Sequence, residues 1–247
     1  MKILLIANSF GTDAARYLYG IARAAGEKVK VVNLYIGGCS LYRHYRNMLS
    51  EEKAYSYEIN GMTSGLFVSL KEALLSDEWD VVTLQQSSPL SGQEETYEPY
   101  LSELSAYVKK MAPKAKQYIH ETWTYDPENK YFATMPHHTR EEMIPAVKNA
   151  YREAAKRIGA AGIIPSMDAM CKLYDIKGAD ATYRDKHHAS YGLGRYLLGC
   201  VWFMTLLGKD VAGNSFRDFD AVISENDVLL AQRLAKEAVT ENGFEVR

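Results

Sequence analysis

The chain has 247 residues, and 29 Lys+Arg against 31 Asp+Glu leave a formal charge of −2. A charge so close to balance favours neither nucleic acid nor an anionic membrane surface, so we expect neither as a partner. With 47% apolar and 24% charged residues, the composition is that of a folded globular protein. The longest apolar runs are shorter than the ~20 residues that cross a bilayer. We predict one soluble domain over residues 1–247.

The cysteines bear on the cellular compartment. Cys39, Cys171 and Cys200 are widely spaced and form no Cys-x-x-Cys pair. They predict neither a disulfide framework nor a zinc ribbon, so a reducing cytoplasm is the expected location. The apolar stretch at residues 1–7 is too short for a signal peptide and lacks a cleavage site, which indicates a β-strand instead. A leader preceding Met1 stays an alternative.

Short apolar runs alternate with helical patterns along the chain, as is typical of βαβ units. The runs that predict strands are residues 2–7, 30–35, 81–85, 117–121 and 162–165. Helical spacing predicts helices at 13–25, 66–75, 99–111, 140–158, 167–174, 190–207 and 224–240, with Thr12 or Asp13 capping the first. This order predicts an α/β fold, a three-layer α/β/α sandwich around a five-stranded parallel sheet.

Three irregular stretches follow strands or the short helix after the last strand, at residues 87–97, 122–138 and 175–188. In open α/β sheets, ligands bind outside the carboxyl ends of the strands. We therefore expect these loops to form the walls of the functional site.

The first candidate residue is Ser9, which lies where the first strand passes into a helix. A serine at that point has its oxygen at the sheet edge, and the positive end of the helix dipole would stabilise developing negative charge. The alternative is that Ser9 only caps or lines the turn.

The second candidate is the pair Asp185 and His188, three residues apart at a loop-to-helix junction. At this spacing the carboxylate can hold the imidazole Nδ1 while Nε2 faces a nucleophile. Alternatively, Asp185 only caps or solvates the loop. His187 competes for the role of base, but we expect its i+2 spacing to turn the ring away from Asp185.

Two further motifs end the second and third predicted strands. Gly37 and Gly38 would let backbone N–H groups approach a ligand closely, or they form a tight turn that needs positive φ. Gln85 and Gln86 carry amides that must be hydrogen-bonded or face a ligand. Because successive strand residues face opposite sides, only one of these glutamines can enter a site.

Aromatic residues follow the fourth predicted strand toward the same edge of the sheet. Trp123 and Tyr125 either stack on a sugar ring or pack within their loop. The histidine and glutamate cluster at residues 137–142 contains no pair of histidines at i,i+4, so we predict no metal site.

Together these motifs resemble the SGNH (GDSL-type) hydrolase superfamily, in particular its little-characterised bacterial branch, over nearly the whole chain. Ser9 of Asn8-Ser9-Phe10 matches the nucleophile block, Gly38 the second block and Asp185-x-x-His188 the triad block. The resemblance implies the SGNH hydrolase fold, which is flavodoxin-like, with Ser9 as nucleophile, His188 as base and Asp185 as its orienting partner.

Two positions depart from the pattern of that superfamily. Asn8 stands where its members usually have aspartate. The asparagine that its third block contributes to the oxyanion hole has no counterpart. The pair Gln85 and Gln86 is the nearest substitute, as in carbohydrate-acetylesterase relatives with glutamine there. One of these amides is expected to join the N–H groups of Ser9 and Gly38 in binding the oxyanion.

The resemblance implies a cofactor-free serine hydrolase that acts on carboxylic esters, a carbohydrate O-acetylesterase or a related deacylase. Its expected partner is a small-molecule or saccharide ester. Two alternatives stay open. A flavodoxin-like protein could bind a flavin or phosphate at the first loop, and a catalytically silent relative could only bind carbohydrate.

Overall fold

The computed structural model describes residues 1–247 and contains a mixed sheet with helices on both of its faces. The strands are β1 (Lys2–Ala7), β2 (Lys30–Tyr35), β3 (Tyr55–Ile59), β4 (Met62–Val68), β5 (Val81–Leu84), β6 (Lys116–His120) and β7 (Gly162–Ile164). The helices are α1 (Ser9–Ala15), α2 (Leu18–Ala24), α3 (Leu41–Ser50), α4 (Leu70–Leu75), α5 (Tyr100–Met111), α6 (Arg140–Ile158), α7 (Ser166–Lys177), α8 (Ala179–Thr182), α9 (Leu193–Leu207) and α10 (Glu225–Glu241).

The sheet has seven strands in the order β4-β3-β2-β1-β5-β6-β7. The five strands that the sequence predicts are all present and parallel. The predicted α/β fold is therefore confirmed, but the count of five strands is wrong because β3 and β4 add an antiparallel hairpin at one edge.

The hairpin turns at Asn60 and Gly61, both with positive φ. An Asn-Gly pair between two strands is a strong hairpin signal, so this pair is the sequence feature that indicates the hairpin. Strand β4 is almost entirely exposed, so it lacks the alternation of buried and exposed side chains that identifies a strand. Residues 66–68, predicted as the start of a helix, belong to this strand.

The first helix also begins earlier than predicted. Its N-cap is Asn8, whose side chain accepts a hydrogen bond from the Phe10 N–H, so neither Thr12 nor Asp13 is the cap. The helical stretch then divides into α1 and α2. Helix α3, capped by Ser40, was not predicted because two of its four buried residues, His44 and Asn47, are polar, so its buried face does not form an apolar pattern in the sequence.

The core explains how the site is positioned. Residues 3–7 of β1 are completely buried between the two helical layers, and α9 is buried on nearly all sides. Because β1, β2, β5 and β6 are parallel, their carboxyl ends meet at one edge of the sheet.

No helix in this structure combines the length and the apolar character that crossing a lipid bilayer requires.

Candidate active site

Ser9 lies at the carboxyl end of β1, and the buried side chain of Asn8 holds this turn in place. Asn8 Oδ1 accepts from the Phe10 N–H at 3.0 Å and from Gln85 Nε2 at 2.9 Å. Its Nδ2 donates to the Cys39 carbonyl at 3.1 Å. The residue before Ser9 is thus tied to the loops that follow β2 and β5.

Ser9, His188 and Asp185 form one hydrogen-bonded chain. Ser9 Oγ lies 2.8 Å from His188 Nε2, and His188 Nδ1 lies 2.7 Å from Asp185 Oδ2. Asp185 Oδ1 also accepts from the backbone N–H of His188 at 2.8 Å. With the Nδ1 proton donated to the carboxylate, Nε2 is left to accept the proton of the Ser9 hydroxyl.

The charge of Asp185 suits this arrangement. Burial alone would raise its pKa, but the hydrogen bonds from the side chain and backbone of His188 outweigh burial and lower the pKa to about 2. The carboxylate is therefore ionised at neutral pH and is a strong acceptor for the imidazole N–H.

The neighbouring His187 does not contact Ser9, but the expectation that its ring turns away from Asp185 is wrong, because His187 Nδ1 lies 3.3 Å from Asp185 Oδ1. The same nitrogen lies 3.3 Å from the Asp185 carbonyl oxygen, and the His187 ring meets Tyr125 and Tyr131 edge-on at 5.7 and 5.6 Å. Burial lowers the pKa of His187, and the nearby His188 lowers it further. The structure thus brings His188 to Ser9 and leaves His187 in the wall of the cavity.

A cavity of about 240 Å³ opens at the Ser9 hydroxyl. Its lining is Asn8, Ser9, Phe10, Tyr35, Gly37, Gly38, Ser88, Pro89, Tyr131, His187 and His188. Gly38 has φ of +60°, which glycine adopts without strain, and its N–H donates no hydrogen bond within the chain. This cavity is small, and apolar atoms form more of its wall than polar atoms do, although only three of its eleven lining residues are hydrophobic.

The two glutamines directly follow β5 but line no part of this cavity. Gln85 donates to Asn8, and its Oε1 lies 2.7 Å from His120 Nδ1. The Gln86 Oε1 accepts from the Leu41 N–H at 2.9 Å, and its Nε2 donates to Thr96 Oγ1 at 3.0 Å. Both amides are buried and already paired, so the structure places neither of them where we expected an inward-pointing donor.

Trp123 also departs from its expected place. It is completely buried, its ring stacks on Phe10 with centroids 4.2 Å apart, and its Nε1 donates to the His187 carbonyl at 2.8 Å. Both faces are therefore unavailable to a sugar, and the prediction of a stacking role is wrong. Tyr125 is likewise buried, whereas Tyr131 is 36% exposed and lies at the rim of the cavity.

Four residues of the cavity lining were not predicted as site residues: Tyr35, Ser88, Pro89 and Tyr131. Ser88 stands two residues after the Gln-Gln pair, in a turn whose position could have been read from Pro89. Tyr131 lies in the irregular loop that was expected to wall the site, but nothing in its local pattern distinguishes it from the chain's other tyrosines.

Three potential metal ligands lie close together at this site. Single ligand atoms of Asp185, His187 and His188 are all within 4.8 Å of one another. The Asp185 carboxylate and the His188 imidazole are already joined by a hydrogen bond, which a metal ion would have to break. In the cluster at residues 137–142, the rings of His137 and His138 pair with the carbonyls of Gly92 and Phe132.

Comparisons with other proteins place the chain in a family. It matches none of the curated proteins. A DUF4886 family protein from Bacteroides uniformis ATCC 8492 is 30% identical with a TM-score of 0.90, over 97% of this chain and 95% of that one. A protein from Parabacteroides merdae ATCC 43184, described as a GDSL-like lipase, is 15% identical with a TM-score of 0.56, over 81% of this chain and 93% of that one.

A protein from Streptococcus pneumonia described as a platelet activating factor is 18% identical with a TM-score of 0.51, over 81% of both chains. At these lower identities the likeness extends to the fold, which this chain shares with GDSL-like proteins. The family described as "Domain of unknown function (DUF4886)" matches residues 2–238. The chain therefore belongs to the DUF4886 family.

Proposed function

We propose that this protein is a serine hydrolase that cleaves carboxylic esters through an acyl-enzyme. The observation that carries the proposal is the continuous hydrogen-bonded chain from Ser9 Oγ through His188 to Asp185. A hydroxyl next to a neutral imidazole, itself oriented by an ionised carboxylate, is the arrangement that activates serine as a nucleophile.

In the proposed reaction, Ser9 Oγ attacks the ester carbonyl carbon as its proton passes to His188 Nε2. The C=O electron pair moves onto oxygen, and Asp185 stabilises the imidazolium that has formed. When the tetrahedral intermediate collapses, the ester C–O bond breaks and His188 gives the proton to the leaving alcohol. Water then repeats both steps on the acylated Ser9 and releases the carboxylic acid.

The oxyanion needs donors at the same cavity. The backbone N–H of Ser9 is the first of its helix and has no partner within that helix. The N–H of Gly38 is also free, and Ser88 adds a hydroxyl from the residues that follow β5. We propose these three groups as the oxyanion donors, with Ser88 in the place that we expected a glutamine to take.

The finer proposal is a carbohydrate O-acetylesterase or a related short-chain deacylase. A cavity of about 240 Å³ has room for a small acyl group but not for a long apolar chain. A second cavity of about 380 Å³ adjoins it at Tyr131 and His187, and is lined by Glu128, Asn129, Lys130, Asp185 and Lys186. Its charged and polar side chains and the partly exposed Tyr131 ring would suit a hydroxylated alcohol such as a sugar.

The flavodoxin-like alternative explains less of the site. A flavin- or phosphate-binding loop would give Asp185 and His188 no role, yet both side chains are aligned on Ser9. A catalytically silent relative stays an outcome of the experiment.

The experiment compares aryl acetate, longer aryl esters and acetylated sugars as substrates for wild type and Ser9→Ala. We expect the acetates to be the preferred substrates, and we expect Ser9→Ala to lose ~10⁴-fold or more in kcat while staying folded. Ser105→Ala is the matched control, since this serine is also buried, lies on α5 outside the cavity and has a hydroxyl without a hydrogen-bond partner. Turnover retained in Ser9→Ala would refute the mechanism. A wild type that binds acetylated sugars without hydrolysing them would identify the silent relative.

A further inference from the structure

A completely buried carboxylate near the site has no part in the proposed reaction. Asp13 lies on α1, four residues after Ser9, and is not exposed at all. Its oxygens accept from Arg184 Nη1 at 2.8 and 2.9 Å, from Arg195 Nε at 2.9 Å and from the Ala189 N–H at 3.1 Å. Two guanidinium groups and a backbone amide therefore satisfy this buried charge.

Two of these partners flank the segment that carries the base. Arg184 immediately precedes Asp185, and Ala189 immediately follows His188. The segment is closed on itself as well, since the Arg184 N–H donates to the His188 carbonyl at 3.0 Å. Asp13 thus binds both ends of a closed loop in which His188 contacts Ser9 and Asp185 contacts His188.

Asp13 also joins this loop to helix α1, whose first residue is the nucleophile Ser9. Ser9 and Asp13 are four residues apart on α1, so they lie on the same side of the helix. His188 meets that side at Ser9, and the flanks of its loop meet it one turn further along at Asp13. We propose that Asp13 is a positioning residue that, through Arg184 and the Ala189 amide, sets the distance between Ser9 Oγ and His188 Nε2.

This inference rests on the proposed function, but it concerns residues outside the reacting groups. Neither Asp13 nor Arg184 lines the Ser9 cavity, so neither contacts the substrate there. The network continues in the opposite direction, where Arg195 donates to Asp220 at 2.6 Å and Arg16 Nε donates to Asp220 at 2.8 Å. That outer pair belongs to the same network without touching the loop, and it supplies a matched control.

The test compares Arg184→Met with Arg16→Met. Both guanidinium groups are partly exposed, with side-chain exposures of 19% and 23%, so both variants are expected to fold. Arg184→Met removes the side-chain connection between Asp13 and the loop. Arg16→Met instead removes the outer pair with Asp220 and the hydrogen bond that Arg16 Nη1 donates to the Gly61 carbonyl, and neither of these touches the loop. A misplacement of about 1 Å at a reacting group costs on the order of 10²-fold in rate, so we expect kcat of Arg184→Met on aryl acetate to fall ~30–100-fold.

Four readouts separate positioning from stability. KM of Arg184→Met should stay near that of wild type, Arg16→Met should keep the wild-type kcat, and Arg184→Lys should recover most of the lost rate. In the proton NMR spectrum, the downfield signal of the His188 Nδ1 proton should broaden or shift in Arg184→Met only. This last readout does not require turnover.

Two results would overturn the role of Asp13 and leave the proposed function intact. One is an Arg184→Met variant with wild-type kcat and an unchanged His188 signal, and the other is an Arg16→Met variant that loses as much kcat. A wild type that neither hydrolyses aryl acetate nor reacts with a fluorophosphonate would instead overturn the proposed function, and this inference with it.

Discussion

Replacing Gln85 by alanine tests whether a glutamine of the β5 end binds the oxyanion. In the structure this amide connects Asn8 to His120, and both of these side chains are buried. The amide does not line the cavity at Ser9. We therefore expect Gln85→Ala to lower the free energy of unfolding substantially and to lower kcat only slightly.

The magnitude follows from the two hydrogen bonds that are lost. His120 would keep a buried Nδ1–H without an acceptor, which costs about 1–3 kcal/mol. Asn8 Oδ1 retains its bond from the Phe10 N–H, so its loss is that of one ordinary hydrogen bond, about 1 kcal/mol. Together these losses amount to about 2–4 kcal/mol of unfolding free energy.

The assay pairs urea unfolding with steady-state kinetics on aryl acetate. We expect Gln85→Ala to lose stability by the amount given above. We expect its kcat to fall by much less than the ~10²–10³-fold that removal of an oxyanion donor costs. Near-wild-type stability combined with a kcat loss of that full size would refute the reasoning. It would mean that the Gln85 amide reaches the carbonyl oxygen during turnover.

The remaining predictions concern the base, the third oxyanion donor and a buried acid. His188→Ala should abolish hydrolysis while His187→Ala keeps most of it, measured as kcat on aryl acetate, and the reverse result would assign the base to the other ring. Ser88→Ala should lower kcat ~10-fold or more with little change in KM, as expected for a donor used in the transition state, and an unchanged kcat would remove Ser88 from the oxyanion site. Glu121 has its pKa raised from 4.5 to about 8 by burial and then by Asp168. The folded state therefore holds a proton that the unfolded state releases above pH 4.5, and unfolding free energy should fall by on the order of 4 kcal/mol between pH 4.5 and 8. Glu121→Gln should lose that slope in urea unfolding measured across this range, and an equally steep slope would show that another group is responsible.

The parallel part of the fold could be predicted from sequence because its strands are buried on both faces and read as continuous apolar runs. Residues 2–7 and 30–35 match β1 and β2 at both ends, and residues 140–158 match α6. The hairpin of β3 and β4 could not be found in this way, because β4 is exposed along nearly its whole length and its sequence carries no alternation. Its Asn60-Gly61 turn was the only local signal.

The residues of the candidate site also differ in how far the sequence could predict them. Ser9 and the Asp185/His188 pair stand at junctions between elements, where spacing alone limits what a side chain can reach. Whether an amide at the end of β5 faces a cavity or a neighbour depends on long-range partners such as Asn8 and His120, which no local pattern reveals. The burial of Trp123 beneath His187 is likewise a matter of tertiary packing.

Labelling by a fluorophosphonate followed by peptide mass spectrometry tests the central claim most directly, since only an activated serine reacts with this probe. We predict a single phosphonylated residue, Ser9, in the wild type, with labelling abolished in His188→Ala and retained in His187→Ala. The hydrogen bond of 2.8 Å between Ser9 Oγ and His188 Nε2 is the physical reason. An unlabelled Ser9 in the folded wild type, or a label on another serine, would contradict the account.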